Sequence, residues 1–357
     1  MFFRASQFNR DIEGWDTSSA TDISFMFSGA DMFNQPIMSW DVSNVKDMSS
    51  MFYGLRRFNQ PIGNWETSSV TNMDSLFYSA EMFNQDIGRW DTSRVTDMSE
   101  MFYQARVFNQ AIGIWDTSKV TTMEGIFNMA SNFDQPIERW NTSSVTNLRS
   151  MFRSAQKFNQ PIDMWDVSKA RNMDYMFYDA SNFNQPLDNW STASVTSSQR
   201  MFYQARKFNS AVGNWDTSSI KDTQYMFNDA EVFNQPLTKW DTSSVTQASY
   251  MFSGAFSFNQ DISTWSFPGI TYSGYKMDIF RSATAFRAKY GCTGSYDVPS
   301  SCKDILDSWP APSPPPPLPP SPPPSPSPPP SPPPPPSPPP SPPSPPPPPS
   351  PPPFPPS

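Results

Sequence analysis

Residues 58–82 read FNQPIGNWETSSVTNMDSLFYSAEM, and this pattern recurs every 25 residues along most of the chain. The position of Phe58 is Phe in eleven successive units, and the position of Trp65 is Trp in the same eleven units. A fixed period of this length is typical of repeat proteins, in which each unit buries its apolar side against its neighbours. The repeat therefore decides the fold, and we name each set of equivalent residues a column after its member in 58–82.

The second half of the unit predicts a helix. Its apolar residues recur at steps of three and four, which places them on one helical face. These residues are Val70, Met73, Leu76, Phe77 and Ala80. The Thr and Ser residues at 67–69 precede that face and offer N-cap hydroxyl groups.

The first half of the unit predicts a short parallel strand centred on Ile62. Stacked units of one strand and one helix form an α/β solenoid, and we expect it to be right-handed, within the 20–29 residue range of leucine-rich repeats. Pro61 conflicts with this expectation because proline has no N–H to donate to a strand ladder. The predicted strand is therefore only two to four residues long.

The unit resembles the BspA-like leucine-rich-repeat family of 25-residue surface repeats. Residues 91–110, DTSRVTDMSEMFYQARVFNQ, match the family pattern closely, and the resemblance covers residues 1 to about 265. It implies a module of secreted or cell-surface proteins that binds other proteins or matrix. The family contributes no catalytic residues.

Three segments are predicted. Residues 1–265 form the solenoid, and because residues 1–9 match the second half of a unit, we expect the natural protein to begin upstream with a signal peptide. Residues 266–309 form a degenerate capping repeat, in which the pattern is shifted by 28 residues. Cys292 and Cys302 are predicted to close this cap as a disulfide, the alternative being two free thiols.

The third segment, residues 310–357, is Pro and Ser except for Ala311, Leu318 and Phe354. This composition predicts a polyproline II stalk. Its Ser-Pro blocks resemble the hydroxyproline-rich linkers of plant and algal wall glycoproteins, which implies hydroxylated and glycosylated prolines and an association with cell wall or matrix. A proline-rich run can also bind SH3, WW or profilin domains, although the tail has no Arg or Lys to orient such binding.

Composition argues against several function classes. The chain has no His and only two Cys, which removes the commonest general base and most zinc ligand sets. Its net charge of −8 argues against nucleic-acid binding, and no apolar run approaches the roughly 20 residues of a membrane helix. We therefore predict a non-enzymatic protein without metal or cofactor.

Five polar or aromatic columns allow a structural and a functional interpretation. The Trp65 column is either core or a platform for sugars, and the Asn59 column is expected to bond the backbone at a tight corner. The Glu66 column, mostly Asp, forms either Asx turns or a cation site. One interpretation of the Thr67 and Thr71 columns is a surface of parallel threonines that binds ice. The other interpretation is that these threonines are ordinary structural residues of each unit. The structural interpretation is favoured in each case.

The two positions between Ile62 and Trp65 vary from unit to unit and are expected to point outward. This variation suggests a recognition face, although an unconstrained solvent face varies in the same way. The candidate residues are Asn64, Arg89, Glu138, Arg139, Asp163, Met164 and Lys239. Asn141 and Asn189 lie in glycosylation sequons, with Asn189 expected to be hindered by the neighbouring Trp column.

Together these observations favour a cell-surface or extracellular-matrix protein. Its solenoid would recognise a protein or glycan, and its stalk would hold it at a distance or attach it to a wall. The alternative is an intracellular scaffold that recruits SH3, WW or profilin-type partners through the tail.

Overall fold

The structure is a computed structural model that describes residues 1–271, 274 and 277–292. The chain divides into two units, Met1–Ser313 and Pro314–Ser357, and all described residues belong to the first. Cys302 and the predicted stalk at 310–357 lie outside the described residues, so the predictions about them remain predictions.

Each 25-residue repeat forms one coil, and successive coils stack in register. The Ser75 N–H donates to the carbonyl of Ser99, 24 residues further on, at 2.8 Å. In the opposite direction, the Thr71 N–H donates to the carbonyl of Lys46 at 2.9 Å. Main-chain bonds of this kind join every coil to the next between residues 21 and 281. The predicted stacking of units is therefore what the structure shows.

The predicted helix in each unit is wrong. Among the described residues the one α-helix is α1, Thr284–Lys289, and the segment 73–80 is instead a run of tight turns. The N–H groups of Leu76, Tyr78 and Ala80 donate to the carbonyls three residues earlier in the same coil. The N–H groups of the residues between them donate to carbonyls of the next coil. Two residues per coil adopt positive φ, at 54° for Ser75 and 55° for Ser79. These left-handed residues reverse the chain after each turn and prevent helix propagation.

The predicted strand at Ile62 is also misplaced. Parallel pairing consists of isolated single-residue bridges in the Asn72 column, from Asp22 to Gln247. The carbonyl of Ile62 accepts instead from the Trp65 N–H and from the indole of Trp90. The first half of the unit forms no strand ladder, so the missing N–H of proline in the Pro61 column removes no inter-strand hydrogen bond.

The core is a set of continuous aromatic files. Phe77 stacks on Phe83 of its own coil at 3.9 Å between ring centroids and on Phe102 of the next coil at 5.6 Å. Both phenylalanine columns are fully buried from Phe27 onward, and the Ile62, Val70 and Ala80 columns complete the same core. The core positions expected from the repeat are confirmed, because burial depends on periodic spacing and not on helical geometry.

Four series of peptide groups run along the stack axis. In the peptide between Asp74 and Ser75, the C=O accepts from the Ser50 N–H of the previous coil and the N–H donates to Ser99 of the next coil. The peptides that supply the N–H groups of Met73, Phe77 and Ser79 show the same arrangement, and so do their equivalents in other coils. All four series point their N–H groups toward the C-terminal coils.

The last coil keeps the stack despite its longer spacing. The Phe252 N–H donates to the carbonyl of Ile279, 27 residues later, and its ring stacks on Phe280 at 5.8 Å. Phe286 of α1 stacks on Phe258 at 5.7 Å. The insertion of three residues is therefore absorbed before Ile279, and the aromatic files continue into the predicted cap.

Candidate functional site

The Trp65 column belongs to the core and is not a sugar platform. Ten of its indoles, from Trp40 to Trp265, are at most 4% exposed. Each donates its ring N–H to a carbonyl 28 residues earlier, as Trp140 does to Ile112 at 3.1 Å. Only Trp15, at the first described coil, is substantially exposed, at 41%.

The Asn59 and Glu66 columns also have structural roles. The Asn109 side-chain oxygen accepts from the backbone N–H of Asp134 at 2.9 Å, and equivalent bonds join every neighbouring pair in the column. The Asp116 carboxylate accepts from the Ser118 N–H at 2.9 Å in an Asx turn. Its hydrogen bonds from the Ser118 side chain and backbone lower the pKa of Asp116.

The threonine hydroxyls of both columns donate hydrogen bonds to neighbouring coils. In the Thr67 column the side chains are mostly buried, and Thr67 donates its hydroxyl to the carbonyl of Asp91 at 3.0 Å. In the exposed Thr71 column the hydroxyl of Thr71 donates to the carbonyl of Lys46 at 3.2 Å. Both files therefore bond neighbouring coils.

The predicted recognition face lies at the surface but shows little organisation. Asp163 is half-buried, and the other six residues are exposed: Asn64, Arg89, Glu138, Arg139, Met164 and Lys239. Met164 is 77% exposed, and Lys239 donates to Asn214 at 2.9 Å. The structure brings none of these residues into a cleft, so their binding role stays a prediction.

The two sequon asparagines are both exposed. Asn141 uses its side-chain oxygen to accept from the Ser143 N–H at 3.1 Å, as an Asx turn. Asn189 lies 3.5 Å from the Asp163 carboxylate and is not covered by the Trp column. The expectation that Asn189 is hindered is therefore wrong, because Trp190 points into the core while Asn189 points outward.

A different surface carries a cleft of about 500 Å³, formed by the turns of three neighbouring coils and the edge of a fourth. We call it the arginine–tyrosine cleft. It is lined by Arg149, Ser150, Arg153, Tyr175, Tyr178, Arg200, Tyr203 and Tyr225. These residues occupy the Asp74, Ser75 and Tyr78 columns, whose side chains project from the tight turns.

The arginines of the cleft surround one tyrosine ring. The guanidinium carbons of Arg149, Arg153 and Arg200 lie 5.8, 5.8 and 5.4 Å from the ring centroid of Tyr175. Arg200 also donates to the Tyr175 hydroxyl at 2.5 Å and lies 4.6 Å from the ring of Tyr225. The rings thus hold the guanidinium groups in place by cation–π contacts.

The positive charge of the cleft is only partly neutralised. Arg149 pairs with Glu124 at 2.8 Å. Among the described residues, Arg153 and Arg200 form no ion pair, and the buried Nε of Arg153 has no hydrogen-bond partner. Within the described part of the chain, the cleft therefore combines two arginines without an ion pair and one buried guanidinium nitrogen without a hydrogen bond.

The backbone of the cleft places bulky residues where glycine is favoured. Tyr175, Arg200 and Tyr225 have φ of 59°, 54° and 57°, and the same column holds Gly125 at 60°. A left-handed conformation costs a non-glycine residue about 1–2 kcal/mol. Every coil has a positive φ at this column, so the conformation belongs to the repeat, and the cleft coils differ only in placing Tyr and Arg there.

An acidic group of residues lies on the same columns toward the N-terminal coils. Burial, followed by repulsion from Asp97, raises the pKa of Asp74, and burial followed by repulsion from Asp74 raises that of Glu100. Within the described residues, no group of three or more potential ligand side chains is arranged to hold a metal ion. No helix in that part of the chain is long and apolar enough to cross a membrane.

Chemically, the arginine–tyrosine cleft is a donor-rich surface. It offers guanidinium N–H groups and phenol hydroxyls, and it contains no nucleophile and base pair. Sequence reasoning missed it because its residues from different coils are 22 to 76 positions apart and meet only when coils stack. The signal that would have found it is the change in the Ser75 column from mixed residue types, with Ser the commonest, up to residue 150 to only Tyr and Arg at 175–250.

A family model described as "Mycoplasma protein of unknown function, DUF285" matches residues 37–116, 104–212 and 187–293. No curated protein matches the sequence. The crystal structure of a TLR13–ssRNA13 complex is similar at 9% identity with a TM-score of 0.26, over 74% of this chain and 41% of that chain. This chain thus spans less than half of that protein, and so low a TM-score supports no argument.

The three overlapping matches to the DUF285 model confirm the repeat character expected from the sequence, while the BspA-like name stays a prediction. The matched segments together run from residue 37 to residue 293, which is more than half of the 357 residues. The chain therefore belongs to the DUF285 family.

Proposed function

We propose that this chain is a non-enzymatic recognition protein of the cell surface or extracellular matrix, and that it contacts its ligand at the arginine–tyrosine cleft. The observation that carries the proposal is the contrast between constant and variable columns. The core and corner residues repeat from coil to coil, whereas the cleft columns change residue type and gather unpaired cations at one place. A scaffold of this kind holds a few specific side chains on a rigid frame.

The absence of catalytic chemistry in the cleft supports a binding role. Its titratable side chains are arginines and tyrosines, and no His exists in the chain. Arginine stays protonated at all physiological pH values and is a poor general base. The cleft is suited to holding a ligand and not to transferring its protons.

Three variants with equal charge loss test the location of the site. The cleft variant carries Arg149→Ser, Arg153→Asn and Arg200→Ser, each a residue that the same column uses in other coils. The control variant carries Arg94→Ser, Lys119→Ser and Lys169→Ser, on exposed positions of another column. A third variant replaces the cations of the earlier candidate face, Arg89, Arg139 and Lys239, with Asn.

Binding of the full-length chain is measured on an array of glycans and peptides. We expect the cleft variant to lose at least about tenfold in affinity, since it removes three charge-assisted donors, and the control variant to stay within about twofold of the wild type. Loss in the third variant alone would move the site to the earlier candidate face. Equal loss in all three variants, or no binding that depends on the cleft, would overturn the proposal.

The proposed location has a separate test on the native protein. Secretion predicts a disulfide between Cys292 and Cys302 and hydroxylated prolines in 310–357. Mass spectrometry of the native protein under non-reducing conditions measures both. Reduced thiols together with unmodified prolines would favour the intracellular alternative and contradict this part of the proposal.

A further inference from the structure

We propose that the arginine–tyrosine cleft binds an acidic polysaccharide, with its sulfate or carboxylate groups held by Arg153 and Arg200 beside Tyr175. This inference rests on the proposed function, because it assumes that the cleft is the binding site. It goes further in naming the chemical class of the ligand and the residues that hold its charged group.

The need for an anion follows from the two arginines. Arg153 has a buried Nε without a hydrogen-bond partner, and Arg200 directs one nitrogen to the Tyr175 hydroxyl. An unsatisfied buried donor is costly, and a charged one more so. A sulfate or carboxylate in the cleft would accept from the other guanidinium N–H groups of the two arginines, and a planar guanidinium suits such groups because it can donate two parallel bonds.

The tyrosines argue against a nucleobase or a neutral sugar stacked on a ring. Guanidinium groups already lie over Tyr175, as described above. Tyr178 and Tyr203 stack on each other at 4.6 Å, and Tyr225 stacks on Tyr250 at 4.8 Å. With the faces of these rings occupied, the ring edges and hydroxyl groups remain for a ligand. Phenol hydroxyls both donate and accept, which matches the hydroxyl groups of a sugar.

The spacing of the cleft suits a polymer that lies along the stack. Arg153 and Arg200 lie two coils apart, and coils of this kind are separated by about 4.8 Å, which gives about 10 Å between their levels. This distance is comparable to the length of one disaccharide. The cleft volume of about 500 Å³ is within the range of about 300–1,000 Å³ found for specific ligand sites.

The charge distribution restricts the ligand to one part of the surface. Toward the N-terminal coils the same columns carry Asp74 and Glu100, whose pKa values are raised first by burial and then by repulsion from neighbouring carboxylates. An anionic polymer is repelled there and attracted at the cleft. Asp174 lies in the same columns within the cleft coils, but its carboxylate already accepts from the Ser197 hydroxyl and the Gln199 N–H. The acidic polysaccharide would therefore bind at the guanidinium groups of the cleft and avoid the acidic coils.

The test uses the purified full-length chain and five immobilised probes at about 0.15 M salt, where exposed charges are screened within about 8 Å. Dextran sulfate and polygalacturonate present the two candidate anionic groups, and dextran is the neutral control. Oligo(dT) and polyglutamate present a nucleic acid and an acidic peptide. We expect both acidic polysaccharides, or the one with the preferred group, to bind more tightly than the other three probes.

Conservative variants separate guanidinium recognition from charge alone. Arg153→Lys keeps the charge and removes the Nε and the planar fork, so we expect an affinity about tenfold lower for the acidic polysaccharide. The matched control Arg94→Lys should leave the affinity unchanged. Tyr175→Phe removes the acceptor that fixes Arg200 and should weaken binding a few-fold, whereas Tyr103→Phe, outside the cleft, should not.

The failures of the two proposals are distinguishable. If oligo(dT) or polyglutamate binds best and the cleft triple variant abolishes that binding, the ligand class is wrong and the cleft remains the site. If Arg153→Lys binds as well as the wild type, the guanidinium geometry plays no part and the inference is overturned. If no probe binds in a manner that depends on the cleft, both proposals fail.

Discussion

Replacement of Trp140 by Phe tests the central packing claim. The Trp140 side chain is 3% exposed, and its indole donates to the carbonyl of Ile112 at 3.1 Å. It stacks between Trp115 and Trp165, at 6.4 and 6.5 Å. Phe keeps one ring at this position but removes the donor and leaves part of the indole volume empty.

The expected loss follows from two contributions. The buried hydrogen bond contributes about 0.5–1.5 kcal/mol. A void of roughly 40 Å³ costs about 1 kcal/mol at about 24 cal/mol per Å³, with some lost transfer free energy in addition. We therefore expect Trp140→Phe to lower the free energy of unfolding by about 2–3 kcal/mol.

The assay is urea denaturation followed by circular dichroism, with Trp15→Phe as the control. Trp15 is 41% exposed, so the same substitution there should cost about 0.5 kcal/mol or less. The comparison is made from midpoints at equal slope, since a change in slope would indicate that coils unfold separately. A cost below about 0.5 kcal/mol at Trp140, equal to that at Trp15, would refute the buried-donor role.

Three further sets of substitutions test the turns, the corners and the charge. Glu100 has a φ of 52°, which Asn tolerates better than Glu, so Glu100→Asn should stabilise the chain by about 1 kcal/mol in thermal unfolding. Ser99 has an ordinary φ, so Ser99→Gly should destabilise the chain by about 0.5–1 kcal/mol in the same assay. Asn109→Ala leaves the Asp134 N–H without its acceptor and should lower the free energy of unfolding by about 1–3 kcal/mol. Asn109→Asp should lower it much less, because a carboxylate oxygen also accepts from this N–H. Equal losses in the two variants would contradict the corner role. Burial raises the pKa of Asp222, so its ionised form is disfavoured in the fold. Asp222→Asn should therefore raise the denaturation midpoint at pH 7, and this gain should vanish as the pH falls through the raised pKa; a gain that persists in acid would contradict it.

The repeat made the core predictable, while the local conformation was not. The spacing of three and four residues in Val70 to Ala80 suits an α-helix, but it suits a run of three-residue turns equally well, and both bury the same side chains. The sign that separates them is glycine at positions of positive φ. Gly29 and Gly54 lie in the Ser79 column, and Gly125 lies in the Ser75 column. Two left-handed residues per unit exclude a continuous helix.

The corner residues were predictable because their partners are close in sequence or one period away. Asp116 needs only Ser118, and Asn109 needs only the equivalent residue of the next coil. The cleft was not predictable in the same way. It depends on the directions of the Arg153 and Arg200 side chains, which are set by the tight turns. A helix at these positions, as expected from the sequence, would direct the same side chains differently.

The aligned peptide series give the stack an electrical direction. Each peptide carries a dipole of about 3.5 D, and the N–H groups of four series all point toward the C-terminal coils. In an α-helix the N–H groups point the other way, toward the N-terminus. Hydrogen bonds in such chains polarise one another, so each added coil strengthens the bonds of those already formed. The repeat thus behaves as a polar filament in which a proline placed at Ser75 would divide one long cooperative series into two shorter ones.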